Sequence, residues 1–151
     1  MLTVRARRGT SVAHQMKVAI RKARTKAQKL GVKCDLHAMD FLDTEAVSKL
    51  SMTFDVILDV GCFHSMPAQD RLTYKESFKL VSQPRSTYLL WCFLRGSRWT
   101  PGPPGVARDE PEKIFVNLYH VVEKRILNTH FREMLFYIMQ RDSEAKKPNK
   151  M

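Results

Sequence analysis

Two apolar runs, "TFDVILDV" (residues 53–60) and "STYLLWCFL" (86–94), set the tightest limit on what this chain can become. Each is short and nearly continuous, the pattern of a strand covered on both faces. Between them, "PAQDRLTYKESFKLVS" (67–82) places Leu72, Tyr74, Phe78, Leu80 and Val81 on a helical face, behind a proline suited to a first turn. A strand, a helix and a second strand of this kind form a right-handed parallel crossover.

The alternation extends upstream. Val12, Met16, Ala19, Ala23, Ala27 and Leu30 recur at helical spacing, one stripe of an amphipathic helix that Ser11 can cap and Gly31 can end. "VKCDLHAMDF" (32–41) alternates like a half-buried strand ending near Asp40, and "DTEAVSKL" (43–50) reads as a short helix capped by Asp43 or Thr44. Downstream, four prolines and three glycines between Arg95 and Pro111 prescribe a loop, followed by a short helix over 110–115. "VNLYHVVEKRIL" and "HFREMLFYIMQR" then suggest an antiparallel hairpin joined at 128–130. The expected organisation is an α/β layered domain over 11–141, a basic segment over 1–10 and a polar tail over 142–151.

A chain of 151 residues is one domain's worth, and none of its apolar runs is long enough to span a bilayer. Residues 1–30 hold nine Lys and Arg and no acid, so +9 of the net +11 lies there. Such a segment could steer nucleic acid or an acidic partner, could be an organelle-targeting peptide, or could be a solvated helix face. Cys34, Cys62 and Cys92 are odd in number and widely spaced, which argues against disulfides and a zinc site and for a reducing, cytoplasmic setting.

"FDVILDVGC" (54–62) invites comparison with a nucleotide-cradling strand and turn. That role calls for Gly-x-Gly after the strand and an acid at the end of the next one, so that backbone can approach a phosphate and a carboxylate can bind a ribose. Here Gly61 is followed by Cys62, Phe63 and His64, the next strand ends at Arg95, and the chain contains no Gly-x-Gly. The stretch suits a later strand of such a sheet.

Read in order, "AIRKARTKAQKLGV" (19–32), "MDFLD" (39–43), "FDVILDVGCFHSM" (54–66), "RLTY" (71–74), "STYLLWCF" (86–93) and "GPPGVARDE" (102–110) with "IF" (114–115) resemble class I S-adenosylmethionine-dependent methyltransferases, especially the small-molecule enzymes of the thiopurine and tellurite-resistance type. The resemblance implies an α/β, Rossmann-like, mostly parallel sheet ordered 3-2-1-4-5-7-6, with helices on both faces and a C-terminal antiparallel hairpin. It implies S-adenosylmethionine as cofactor and a small-molecule methyl acceptor. Asp40 would bond the adenine amino group with Phe41 and Leu42 beside the ring, while Gly61, Cys62, Phe63 and His64 would face the methionine end and the acceptor. His64 would serve as the catalytic proton acceptor; its plain alternative is a hydrogen-bonded structural histidine.

The family's first strand, Gly-rich loop and second strand should precede residue 19, where too few residues stand, and no acid occurs at His14 or Gln15 where the ribose ligand is expected. The expectation is therefore an N-terminally truncated methyltransferase-like domain with an incomplete cofactor pocket and little activity. Its sheet would keep an exposed edge through which copies could associate. A basic binding module on a non-catalytic scaffold is the alternative. Asp59, within a buried strand, needs a partner, and Arg71 or the start of the helix after Pro67 is the expected one; Trp91 and Phe93 are expected in the core.

Overall fold

Gly31 fixes where the first long helix stops. Helix α1 (Thr10–Lys29) ends as Val32 N–H reaches back to Ala27 C=O (3.0 Å) and Gly31 N–H to Gln28 C=O (3.1 Å), with Gly31 at φ +64°. This paired closure needs a left-handed residue after the last turn, which glycine supplies without a Cβ penalty. The computed structural model in which this is seen describes residues 2–4, 10–96, 102–128 and 133–143, with side chains from Lys17 onward. The Ser11 cap, the Val12 and Met16 positions, Arg5, Arg7 and Arg8, the hairpin tip beyond Asn128 and the end of the polar tail lie outside the described residues or side chains.

The chain divides into two compact units, Met1–Leu50 and Ser51–Met151. In the first, strand β1 (Leu2–Val4) pairs in parallel with β2 (Leu36–Ala38), in the register Leu2 to Leu36 and Val4 to Ala38. A strand within the basic N-terminal segment was not expected, because three residues are too few to show an alternation. Along α1, Ile20 is buried and Ala19, Ala23 and Ala27 are half-buried, whereas Lys17, Arg21, Lys22, Arg24, Lys26 and Lys29 are exposed. Leu30, expected on the apolar stripe, is 65% exposed, since the chain has left the helix there. Helix α2 (Thr44–Ser48) is capped by Asp43, whose carboxylate accepts the Ala46 N–H at 3.0 Å.

The second unit is a four-stranded sheet with its helices. Strand β3 (Phe54–Val60) leads to a short helix α3 (Cys62–Ser65), a 3-10 turn (Ala68–Asp70) and helix α4 (Arg71–Val81), which runs directly into β4 (Ser82–Phe93). Helix α5 (Glu110–Phe115) precedes the hairpin β5 (Tyr119–Asn128) and β6 (Glu133–Arg141). The order is β3-β4-β6-β5: β3 and β4 are parallel, and β6 is antiparallel to both neighbours.

One face of this sheet carries the core. Alternation along β4 and β6 turns Tyr88, Leu90 and Cys92 and Leu135, Tyr137 and Met139 inward, where Phe63, Tyr74, Phe78 and Phe115 cover them. Phe78 and Tyr88 pack with ring centroids 4.4 Å apart, and Phe115 lies 5.1 Å from Tyr88 and 5.6 Å from Phe63. Edge-on and tilted contacts of this sort add to the area each ring removes from water.

Three expectations about burial change. Arg71, Tyr74, Ser77, Phe78 and Val81 form the buried stripe of α4, while Leu72 and Leu80 point outward, 60% and 42% exposed. Trp91 is 40% exposed and Phe93 half-buried, because they alternate with the inward residues of β4. Strand β3 is not covered on both faces: Val56, Leu58 and Val60 are 58%, 64% and 64% exposed.

Candidate functional site

The carboxyl end of β3 carries the most elaborate polar construction of the second unit. Asp59, one residue before the strand ends, alternates onto the covered face and is 4% exposed. Its Oδ1 accepts the Cys62 N–H at 2.8 Å; Oδ2 accepts the Phe63 N–H at 3.1 Å and the hydroxyls of Tyr74 at 2.9 Å and Tyr88 at 3.1 Å. These bonds satisfy two of the backbone donors that a helix start leaves unpaired, and they hold a four-residue helix that would not persist alone. Burial pushes the Asp59 carboxyl above its usual range against the pull of Tyr74, the two backbone N–H groups and Tyr88. Burial first, and then the neighbouring carboxylate, push both tyrosines well above the ordinary phenol value.

Arg71 is thus not the partner of Asp59. Its guanidinium, 1% exposed, donates to the Met66 C=O at 3.2 Å and the Gly105 C=O at 3.0 Å, pairs with the Glu110 carboxylate, and lies 5.1 Å from the Phe63 ring centroid. A planar fork can reach three acceptors at once, so it ties the α3 turn to the loop before α5. Glu110 also accepts the Ala107 N–H at 2.8 Å; against the opposing effect of burial, this bond and Arg71 hold its carboxyl below the usual value. The loop is further stitched by Gly105 N–H to His64 C=O (3.1 Å), Arg95 N–H to Val106 C=O (2.7 Å) and Val106 N–H to Phe93 C=O (2.9 Å). At Gly105, with φ +72°, an added Cβ would lie 2.9 Å from the Arg95 nitrogen, so no larger residue fits.

Gly61, at φ +99°, makes the bend between β3 and α3, and its carbonyl accepts the Ser65 hydroxyl at 2.5 Å. His64 is buried, and its ring lies 4.7 Å from that of Phe93. Its Nδ1 accepts the Phe93 N–H at 3.3 Å, which places the ring proton of the neutral imidazole on Nε2. The Cε1–Nε2 edge faces the Gly61 turn, 3.6 and 3.9 Å from where a Gly61 Cβ would stand. Cys62 is half-buried, and burial pushes the Cys92 thiol up to about 12, a value that makes it inert near neutrality.

The structure brings Gly61, Cys62, Phe63 and His64 into one turn. Asp40, Phe41 and Leu42 form another, in the first unit: Asp40 Oδ1 accepts the Leu42 N–H at 3.0 Å and its carbonyl the Asp43 N–H at 3.1 Å, while Phe41 is 6% exposed. The helix cap beside them is Asp43, so Asp40 shapes a side-chain-closed turn instead. Sequence reasoning missed the Asp59, Tyr74 and Tyr88 cluster and the Arg71 fork. The signal was in "RLTY", which puts Arg71 and Tyr74 three apart on one helical face. Among the described residues no group of three or more His, Cys, Asp or Glu is placed to hold a metal, and no helix is long and apolar enough to cross a membrane.

No protein-family model and no curated protein matches this chain. Solved structures do. One, from work on the conversion of a disulfide bond into a thioacetal group during echinomycin biosynthesis, is 18% identical with a TM-score of 0.65, over 83% of this chain and 63% of that one. TehB from Haemophilus influenzae is 14% identical with a TM-score of 0.62, over 82% and 46%. The N-methyltransferase NodS from Bradyrhizobium japonicum WM9, in complex with S-adenosyl-L-homocysteine, is 14% identical with a TM-score of 0.61, over 80% and 62%. The chain spans less than two thirds of each of these. Its order β3-β4-β6-β5 is also the 4-5-7-6 portion of the sheet that the sequence motifs imply. The chain has the fold of class I methyltransferases such as NodS.

Proposed function

We propose that this chain is a methyltransferase-like domain that holds S-adenosylmethionine against the turn after β3 and acts on a small-molecule acceptor. The observation that supports this most directly is the Gly61–His64 turn, set at the carboxyl end of a parallel strand and held by two backbone hydrogen bonds to Asp59, whose carboxylate the Tyr74 and Tyr88 hydroxyls also bond. In open α/β sheets that end of the strands is where ligands bind.

Two turns, each taken by itself, carry groups suited to part of the cofactor. A carboxylate is what an adenine amino group requires as acceptor, and Asp40 is one whose orientation is fixed by its bond to Leu42 N–H. Gly61 carries no side chain at the bend, so backbone is approachable there. When bound, the cofactor would supply an electrophilic methyl group. The chain's own part would be to orient it and to exclude water, with half-buried Cys62 beside Gly61 in the turn.

For His64 we infer a place beside the acceptor, in the turn after β3; its Nδ1 lone pair is committed to Phe93 N–H, so acting as a base would require exchange of the ring proton between its nitrogens. A cytoplasmic setting belongs to the same reading and rests on the cysteine pattern.

Calorimetric titration with S-adenosylhomocysteine tests the proposal. Saturable binding in the micromolar range, weakened by Asp40→Ala, is expected; silence at millimolar ligand would leave a scaffold without cofactor function.

A further inference from the structure

Strand β3 is the outer strand of the four-stranded sheet. Gly61 N–H donates to Trp91 C=O across the β3–β4 ladder at 3.4 Å. Backbone groups alternate sides along a strand, so Asp55, Ile57, Asp59 and Gly61 direct theirs toward β4, and Val56, Leu58 and Val60 direct theirs outward. These same three residues carry the exposed apolar side chains, and Trp91 of β4, in register with Val60, continues the strip at 40% exposure. Among the described residues the strand therefore joins unpaired backbone to uncovered hydrophobic surface. It lacks the lysine, proline or central bulge that usually blunts such an edge; its one irregularity lies between Phe54 and Val56.

We propose that β3 pairs with β3 of a second copy of this chain, antiparallel about a two-fold axis at Leu58, joining two sheets into one. The sequence of the strand is self-complementary in that register. Leu58 meets Leu58, and Val56 meets Val60 of the other copy. On the opposite face Ile57 stands across from Asp59 and Asp55 from Gly61, so no carboxylate faces another, whereas a register centred on Ile57 sets Asp55 against Asp59 and one centred on Asp59 sets Asp59 against itself. All three outward residues fall in hydrogen-bonded pairs, giving about six ladder bonds. One strand and a narrow apolar strip on each side place the contact at the small end of specific interfaces, near about 1,000 Å² in total, so the dimer is concentration-dependent. The +11 charge of each copy opposes it, and salt strengthens it. The inference does not rest on the cofactor reading.

Sedimentation velocity on the full chain over a wide range of concentration tests the state. A shift toward doubled mass that Leu58→Lys abolishes is expected, with Val60→Lys as a second variant and far-UV circular dichroism confirming the fold. Register is tested by mild oxidation in a Cys34→Ser background. Leu58→Cys crosslinks with itself, since the paired α-carbons stand about 5.5 Å apart. Val56→Cys does not, but does crosslink with Val60→Cys. A monomer at every concentration, a dimer indifferent to Leu58→Lys, or Val56→Cys self-crosslinking as readily as Leu58→Cys overturns the proposal; the first of these would leave the edge to a strand from another protein.

Discussion

Glu110 shows how a single carboxylate can organise a site it does not belong to. It neutralises Arg71, whose guanidinium is 1% exposed and whose Nε finds no partner, and it also anchors the Ala107 N–H. Removing one member of a buried pair leaves the other charged and desolvated, so Glu110→Gln is expected to cost about 3 kcal/mol of unfolding free energy at neutral pH. The sign with pH follows from the lowered carboxyl of Glu110. The stabilisation is present above its ordinary value of 4.5 and is lost as pH falls through the lower native value. Denaturant titrations from pH 7 downward should show an acid limb in the parent that is flatter in Glu110→Gln; an equal slope in both would remove Glu110 from that role. Residues of this kind were only partly legible in the sequence. Asp59 was recognised as needing a partner, but its four donors come from the next turn, from α4 and from β4, and no spacing rule joins those three places.

The elements were more legible than the residues. The sequence places α5 at 110–115, where it is found, and predicts the hairpin and the Gly31 helix stop. It also gives Asp43 as a candidate cap for α2, and the structure selects it over Thr44. What failed was the assignment of faces. The expected face of α4 joined Leu72 and Leu80 to Tyr74, Phe78 and Val81; the structure buries the last three with Arg71 and turns the two leucines out, because hydrophobicity alone discounts a buried arginine. Phe78→Ala is accordingly expected to cost about 3–5 kcal/mol through the cavity it leaves. Leu72→Glu should change stability by less than about 0.5 kcal/mol. Chemical denaturation of the two variants decides, and comparable losses would contradict the assignment of faces. Strand β3 misled in the same way: a continuous apolar run reads as doubly covered, yet the outer position of the strand leaves one face to solvent.

For the whole molecule, the α/β class and the 4-5-7-6 strand order emerged from motifs that are individually weak, because their collinearity constrains topology. The pairing of β1 with β2 was not legible, since three residues amid basic neighbours carry no period. The claim on which the account depends is that the turn after β3 receives the cofactor. Its most direct test is a nitrogen-15 amide spectrum of the full chain titrated with S-adenosylhomocysteine. The account predicts saturable shifts at Gly61, Cys62, Phe63 and His64. Shifts confined to the basic helix α1, or none in that turn at saturating ligand, would contradict it.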